Sequence, residues 1–263
     1  MTGRLLLLRV YLDTGSLPGG GYYSPLWPGV GCATLIPVPE AFAERAARHM
    51  DPASVVDPCT GRPLLDFLPV DRWWLLHNDP RLDLGFYTDY YAPRGRLPRS
   101  LASGDVVGFV AGLAVYPEGF WSRRRSLPEI RRALHLAAGE GRAAVYLAGF
   151  LEVEEVVDTA RTGWGRLLAR HPQLRSSPHY ARHGDYPTAV IGRGYLVYPP
   201  APLSEPRPWL ARQPPSRLLA RMLGEEAAWA LARGNYRRSR LARLDAGELR
   251  EVLEEEGYSA RPA

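Results

Sequence analysis

The side chains of this chain that could do chemistry are scattered along it. Asp13 ends an apolar run in Leu12-Asp13-Thr14-Gly15-Ser16, and His77 and Asp79 share the box His77-Asn78-Asp79-Pro80. His179 lies in a polar loop, Ser177-Pro178-His179-Tyr180-Ala181-Arg182-His183. Carboxylates and imidazoles are the groups that move protons near physiological pH. Gathered in one cleft, Asp13, His77, Asp79 and His179 would form a lysine-independent acid–base set for a nucleotide or base. Asp-Thr-Gly after an apolar strand is also how aspartic proteases present a carboxylate, two such loops sharing one proton. A second Asp-Thr-Gly or Asp-Ser-Gly is absent from the sequence, so only a homodimer could work that way.

A second set suits recognition of a flat ring. Tyr22, Tyr23, Trp27, Tyr87, Tyr90 and Tyr91 all fall in polar, loop-like segments. Unpaired bases are held by stacking on aromatic faces and by hydrogen bonds to their edges. Tyr22, Tyr23, Ser24, Asn78 and Tyr90 are therefore candidate base contacts. Arg182, Arg237 and Arg238 are candidate phosphate contacts, the last two within an arginine-rich stretch from Arg233 to Arg243. The plainer readings are aromatics that pack a long loop and arginines that solvate a link between helices. His49, His77, Cys32 and Cys59 match none of the paired spacings of zinc sites. Neither a metal nor a cofactor is expected, and two cysteines are too few for a disulfide framework.

Composition narrows the chemistry further. Among 263 residues there are 33 basic side chains, every one of them arginine. Without lysine there can be no Schiff base, no lysine-dependent phosphate loop and no lysyl adenylate. The formal charge of +5 permits a polyanionic partner. The arginine bias suits a G+C-rich genome, and a scarcity of Asn and Gln is compatible with a hot habitat. The Leu5–Leu8 run is broken by Arg4 and Arg9, so it reads as neither signal peptide nor span, and a soluble, cytoplasmic protein without a membrane partner is expected.

These residues need elements to position them. Residues 4–12 read as a buried strand and 13–31 as a glycine- and proline-rich loop, followed by a short strand at 31–38. Pro39 opens a helix to about Met50. The WWLLH segment at 73–77 is strand-like, and 104–115 reads as a strand or a bent strand pair after a Gly104-Asp105 turn. Helices are expected at 126–138, at 159–170, at 216–233 and at 245–256. Ser126 caps the first of them, and Asp245 with Glu248 boxes the last. The strongest strand candidate is 144–157, and 188–200 reads as strand, turn, strand.

Taken in order, the motifs resemble those of the nucleotide modification associated domain family, third subfamily. The features are Asp13, Gly19-Gly20-Gly21-Tyr22-Tyr23-Ser24-Pro25-Leu26, Ile36-Pro37-Val38-Pro39 and His77-Asn78-Asp79-Pro80. After these come Gly104-Asp105-Val106-Val107-Gly108-Phe109, Gly149-Phe150-Leu151-Glu152-Val153, Pro178-His179 and Val190-Ile191-Gly192. The likeness spans about 4–205. The Gly-Asp turn and the later Val-x-Glu-Val strand also resemble small PUA-like barrels, which cradle a nucleobase between loops. This implies an α+β fold with a mixed β-barrel (PUA-like) core and flanking helices over 1–205, then a C-terminal helical extension over 206–263. It also implies recognition of a modified base or nucleotide in DNA or RNA.

Overall fold

The computed structural model describes residues 3–11, 22–40, 50–70, 75–77, 79–89, 96–180 and 187–263. Its strands are β1 (Arg4–Arg9), β2 (Ser24–Trp27), β3 (Cys32–Ala33), β4 (Pro39–Glu40), β5 (Leu75–Leu76), β6 (Phe86–Asp89), β7 (Val106–Ala114), β8 (Ala143–Asp158), β9 (Thr188–Pro202), β10 (Ala242–Arg243) and β11 (Ser259–Pro262). Its helices are α1 (Arg96–Arg99), α2 (Leu127–Gly139), α3 (Thr159–Thr162), α4 (Trp164–Arg170), α5 (Arg217–Leu223), α6 (Glu225–Arg233) and α7 (Ala246–Glu255).

The principal sheet follows the path β10-β1-β7-β8-β9-β11, with β2 and β6 attached to β7 and β9, and β4 and β5 form a separate pair. β1 and β2 run parallel to β7, and the other pairings of that sheet are antiparallel. The sheet curls into a half-barrel, the expected mixed α+β architecture with a PUA-like core.

Period-two alternation explains why β1 can be four consecutive leucines. Successive side chains leave opposite faces of a strand. Leu5 and Leu7 enter one cluster with Val106, Val110, Val145 and Leu147, which Leu219, Met222, Leu231, Leu249 and Leu253 of α5–α7 cover. Leu6 and Leu8 enter the opposite cluster with Val107, Phe109, Ala111 and Leu151. All nine residues of β7 are buried, as its place between β1 and β8 requires. Residues after 205 thus supply helices to the core and two edge strands, β10 and β11, to the sheet.

Several elements differ from the sequence reading. Residues 188–202 are one continuous strand rather than two, because Gly192 and Gly194 stay extended where neighbouring backbone passes close. A Cβ on Gly192 would lie 1.9 Å from the Glu152 carbonyl oxygen, and one on Gly194 would lie 2.0 Å from that of Leu82. Residues 106–114 are likewise a single strand, with a bulge after Phe109. Gly163 separates α3 from α4, and Gly224, at φ 81°, separates α5 from α6. Ser24–Trp27 and Phe86–Asp89, read as loop, are strands β2 and β6. Pro39 and Glu40 pair with β5, so no helix starts at Pro39; the remainder of that expected helix, 41–49, lies outside the described residues. The capping boxes of Ser126 with Glu129 and Asp245 with Glu248 both form.

Candidate functional site

The site is assembled by β6 and the two segments packed against its end. β6 is held by β9, Asp89 lying opposite Thr188. A tight reversal, in which Arg81 and Phe86 exchange both backbone hydrogen bonds (3.0 and 3.1 Å), returns the chain so that Asp79 faces Thr88. His77 is anchored separately, its N–H donating to the Val38 carbonyl at 2.8 Å.

Asp79 is 4% exposed, and its carboxylate accepts the Thr88 backbone N–H at 2.9 and 3.1 Å as well as the Thr88 hydroxyl. Since Thr88 Oγ1 gives its proton to Asp79, Ser177 Oγ must donate to Thr88 across 3.1 Å. The His179 N–H in turn donates to Ser177 Oγ at 3.2 Å. This relay pins the His179 loop to the Asp79 box. The His77 and His179 rings meet edge-on with centroids 5.2 Å apart. One ligand-capable atom from each of His77, Asp79 and His179 lies within 4.8 Å of the other two.

Electrostatics follow burial. Desolvation raises the Asp79 carboxyl to about 7 against the opposing pull of His179 and Thr88, and neighbouring Asp89 adds to the rise. Burial, with the Asp79 charge, also holds the Tyr11 phenol above its ordinary range. Asp89 is paired with Arg238 at 2.7 Å, which ties the segment before β10 to the site.

Beside the cluster lies a cavity of about 990 Å³, at the top of the usual range for ligand pockets of roughly 300–1,000 Å³. Its wall includes Tyr11, Pro80, Arg81, Arg175, Tyr180 and Tyr198, so the residues that follow Asp79 and His179 in sequence both border it. Asp57 also lines the cavity. Its Oδ2 accepts from Thr34 and Thr60, whereas its buried Oδ1 has no hydrogen-bond partner among the described residues.

The chain's sequence matches the family model described as nucleotide modification associated domain 3 over residues 4–234. The chain belongs to the nucleotide modification associated domain 3 family. Its role is therefore linked to nucleotide modification. The family match extends past 205, through α5 and α6. No curated protein and no solved structure matches the chain.

The expected site residues divide into three groups. His77, Asp79 and His179 come together although a hundred residues separate the first from the last. Asp13, Asn78, Tyr90 and Arg182 lie outside the described residues. Tyr22, Tyr23 and Ser24 are buried. Tyr22 is fully buried and donates to the Phe67 carbonyl at 2.7 Å, Tyr23 donates to that of Leu210 at 3.2 Å, and Ser24 Oγ accepts from Ile36 N at 3.3 Å. Arg237 is exposed, and Arg238 is committed to Asp89.

Cys32 and Cys59 are bonded to one another, with Cα atoms 5.8 Å apart, so no thiol is available as a nucleophile among the described residues. Arg124 and Arg125 of the Arg123–Arg125 run bind backbone carbonyls of Leu68, Pro69 and Phe120. Tyr11, Asp57, Thr88, Arg175 and Tyr198 were not legible as site residues. The polar Thr88 within an aromatic run was the one available signal.

Proposed function

We propose that this protein binds a base or nucleotide of a nucleic acid in the cavity beside His77, Asp79 and His179. The observation that carries the reading is a ligand-sized cavity with tyrosine and arginine in its wall, two of whose lining residues, Pro80 and Tyr180, directly follow Asp79 and His179 in sequence. Tyr180 is half-buried on that wall and suits stacking, and Arg175 is exposed at its edge and suits a phosphate. Arg182, two positions beyond Tyr180, carries the same proposed phosphate role, and Asn78 and Asp13 a proposed role at the base edge. Family membership points to the same ligand class.

Fluorescence anisotropy with modified and unmodified oligonucleotides over a salt series tests this. Binding should weaken steeply with salt, as phosphate contacts require. Tyr180→Ala should lose about 1–3 kcal/mol, the usual worth of one base–aromatic stack. Affinity that is absent, or unmoved by both salt and Tyr180→Ala, would remove the reading.

A second reading, an acid–base enzyme in the same cleft, draws on the Asp79 carboxylate and two imidazoles whose ligand-capable atoms lie within 4.8 Å of one another.

A further inference from the structure

His77, Asp79 and His179 have a composition that neither acid–base work nor base recognition requires. Two imidazoles and one carboxylate are the ligand set of zinc hydrolases and of non-haem iron sites. We propose that these three side chains bind a divalent first-row transition metal, Zn²⁺ or Fe²⁺, next to the cavity-lining residues Pro80 and Tyr180.

The geometry supports this in three ways. First, the ligand atoms already lie within 4.8 Å of one another. Around a tetrahedral ion with bonds of about 2.0–2.1 Å they would stand roughly 3.3 Å apart. The remaining closure is on the scale of a side-chain adjustment. Second, the carboxylate is fixed from one side. Thr88 holds Asp79 Oδ2 through its hydroxyl and backbone N–H, whereas Oδ1 has one longer bond at 3.1 Å among the described residues and keeps lone-pair capacity. Such support from behind a ligand fixes its direction and commonly governs metal affinity. Third, three protein ligands leave coordination positions open, which distinguishes a reactive site from a structural one. The open side would adjoin the cavity bordered by Pro80 and Tyr180.

Spacing in sequence gave no warning, because the pair His77-x-Asp79 and the distant His179 follow no zinc-finger or helix-borne pattern. A bound metal would also recast the histidines: as ligands they could not serve as free acids or bases.

The test uses the full chain, stripped with EDTA, dialysed and titrated with Zn²⁺ or Co²⁺ alone. Equilibrium dialysis with elemental analysis should show uptake of one ion per chain, and Co²⁺ should develop visible absorption bands. His77→Ala should weaken Zn²⁺ uptake at least about 100-fold and Thr88→Val about 10-fold or more. Metal-free His77→Ala should melt with the metal-free parent, which shows that the fold persists. Wild-type protein that takes up neither ion, or uptake by His77→Ala equal to that of the parent, would overturn the proposal. Since no nucleotide is present, metal uptake stands or falls apart from the nucleotide-binding proposal above.

Discussion

Asp79 and Asp105 are both buried aspartates with opposite employment. Asp105 is saturated by donors: its carboxylate takes the Arg4 backbone and guanidinium and the Ala102 N–H. Arg4 in turn donates to the Ser100 carbonyl, so the pair locks the start of β1 to the turn before β7. Asp105→Ala would strand those donors, and a loss of about 2–4 kcal/mol in urea unfolding is expected, with oligonucleotide affinity unchanged. Among the described residues Asp79 takes donors from Thr88 alone, and one of its oxygens lies within 4.8 Å of a ring nitrogen of each of two histidines. Asp79→Asn keeps an acceptor for Thr88. Stability within about 1 kcal/mol of the parent is expected in the same assay, together with loss of metal uptake. The Gly104-Asp105 turn was legible in the sequence, but the partner of its carboxylate was not. Its role is an ion pair with a residue a hundred positions earlier, which local sequence does not encode.

At the scale of elements, two constraints hold the cavity's walls. Gly194 of β9 lets the backbone of Leu82, next to the cavity residue Arg81, pass against the strand. Gly194→Ala would force these apart, and a destabilisation of about 3 kcal/mol or more by urea unfolding is expected. The Cys32–Cys59 bond closes a loop of 27 residues, and both cysteines line the cavity. The double variant Cys32→Ser/Cys59→Ser should lower unfolding stability by about 3 kcal/mol, and dithiothreitol should reproduce the loss in the parent. Strands and helices with strong periodicity, such as β8, α2 and α7, could be read from the sequence because their own residues determine them. The continuity of β9 and the strand state of Phe86–Asp89 could not. Gly192, Gly194 and the aromatic β6 segment take their conformations from partners far along the chain.

At the scale of the whole molecule, one curled sheet does the gathering. Its two faces carry separate hydrophobic clusters, built from alternate leucines of the same strand. The histidine-bearing segments meet where β6 ends against β9. His77, Asp79 and His179 were legible as candidates because they are polar residues in loop-like boxes. The burial of Tyr22 and Tyr23 was not legible, because a glycine-rich prelude looks like exposed loop, whereas both side chains enter the cluster that holds Phe67 and Trp121. Among the described residues no helix is long and apolar enough to cross a membrane.

The central claim is that a base lies in the cavity beside the two histidines. Photocrosslinking the full chain to an oligonucleotide carrying an iodinated pyrimidine, with the adducts mapped by mass spectrometry, tests that most directly. Adducts are expected on Tyr180 and its cavity neighbours Tyr11 and Tyr198, together with their loss when unlabelled oligonucleotide competes. Adducts confined to the arginine-rich stretch from Arg233 to Arg243, with the cavity residues unmodified, would contradict it.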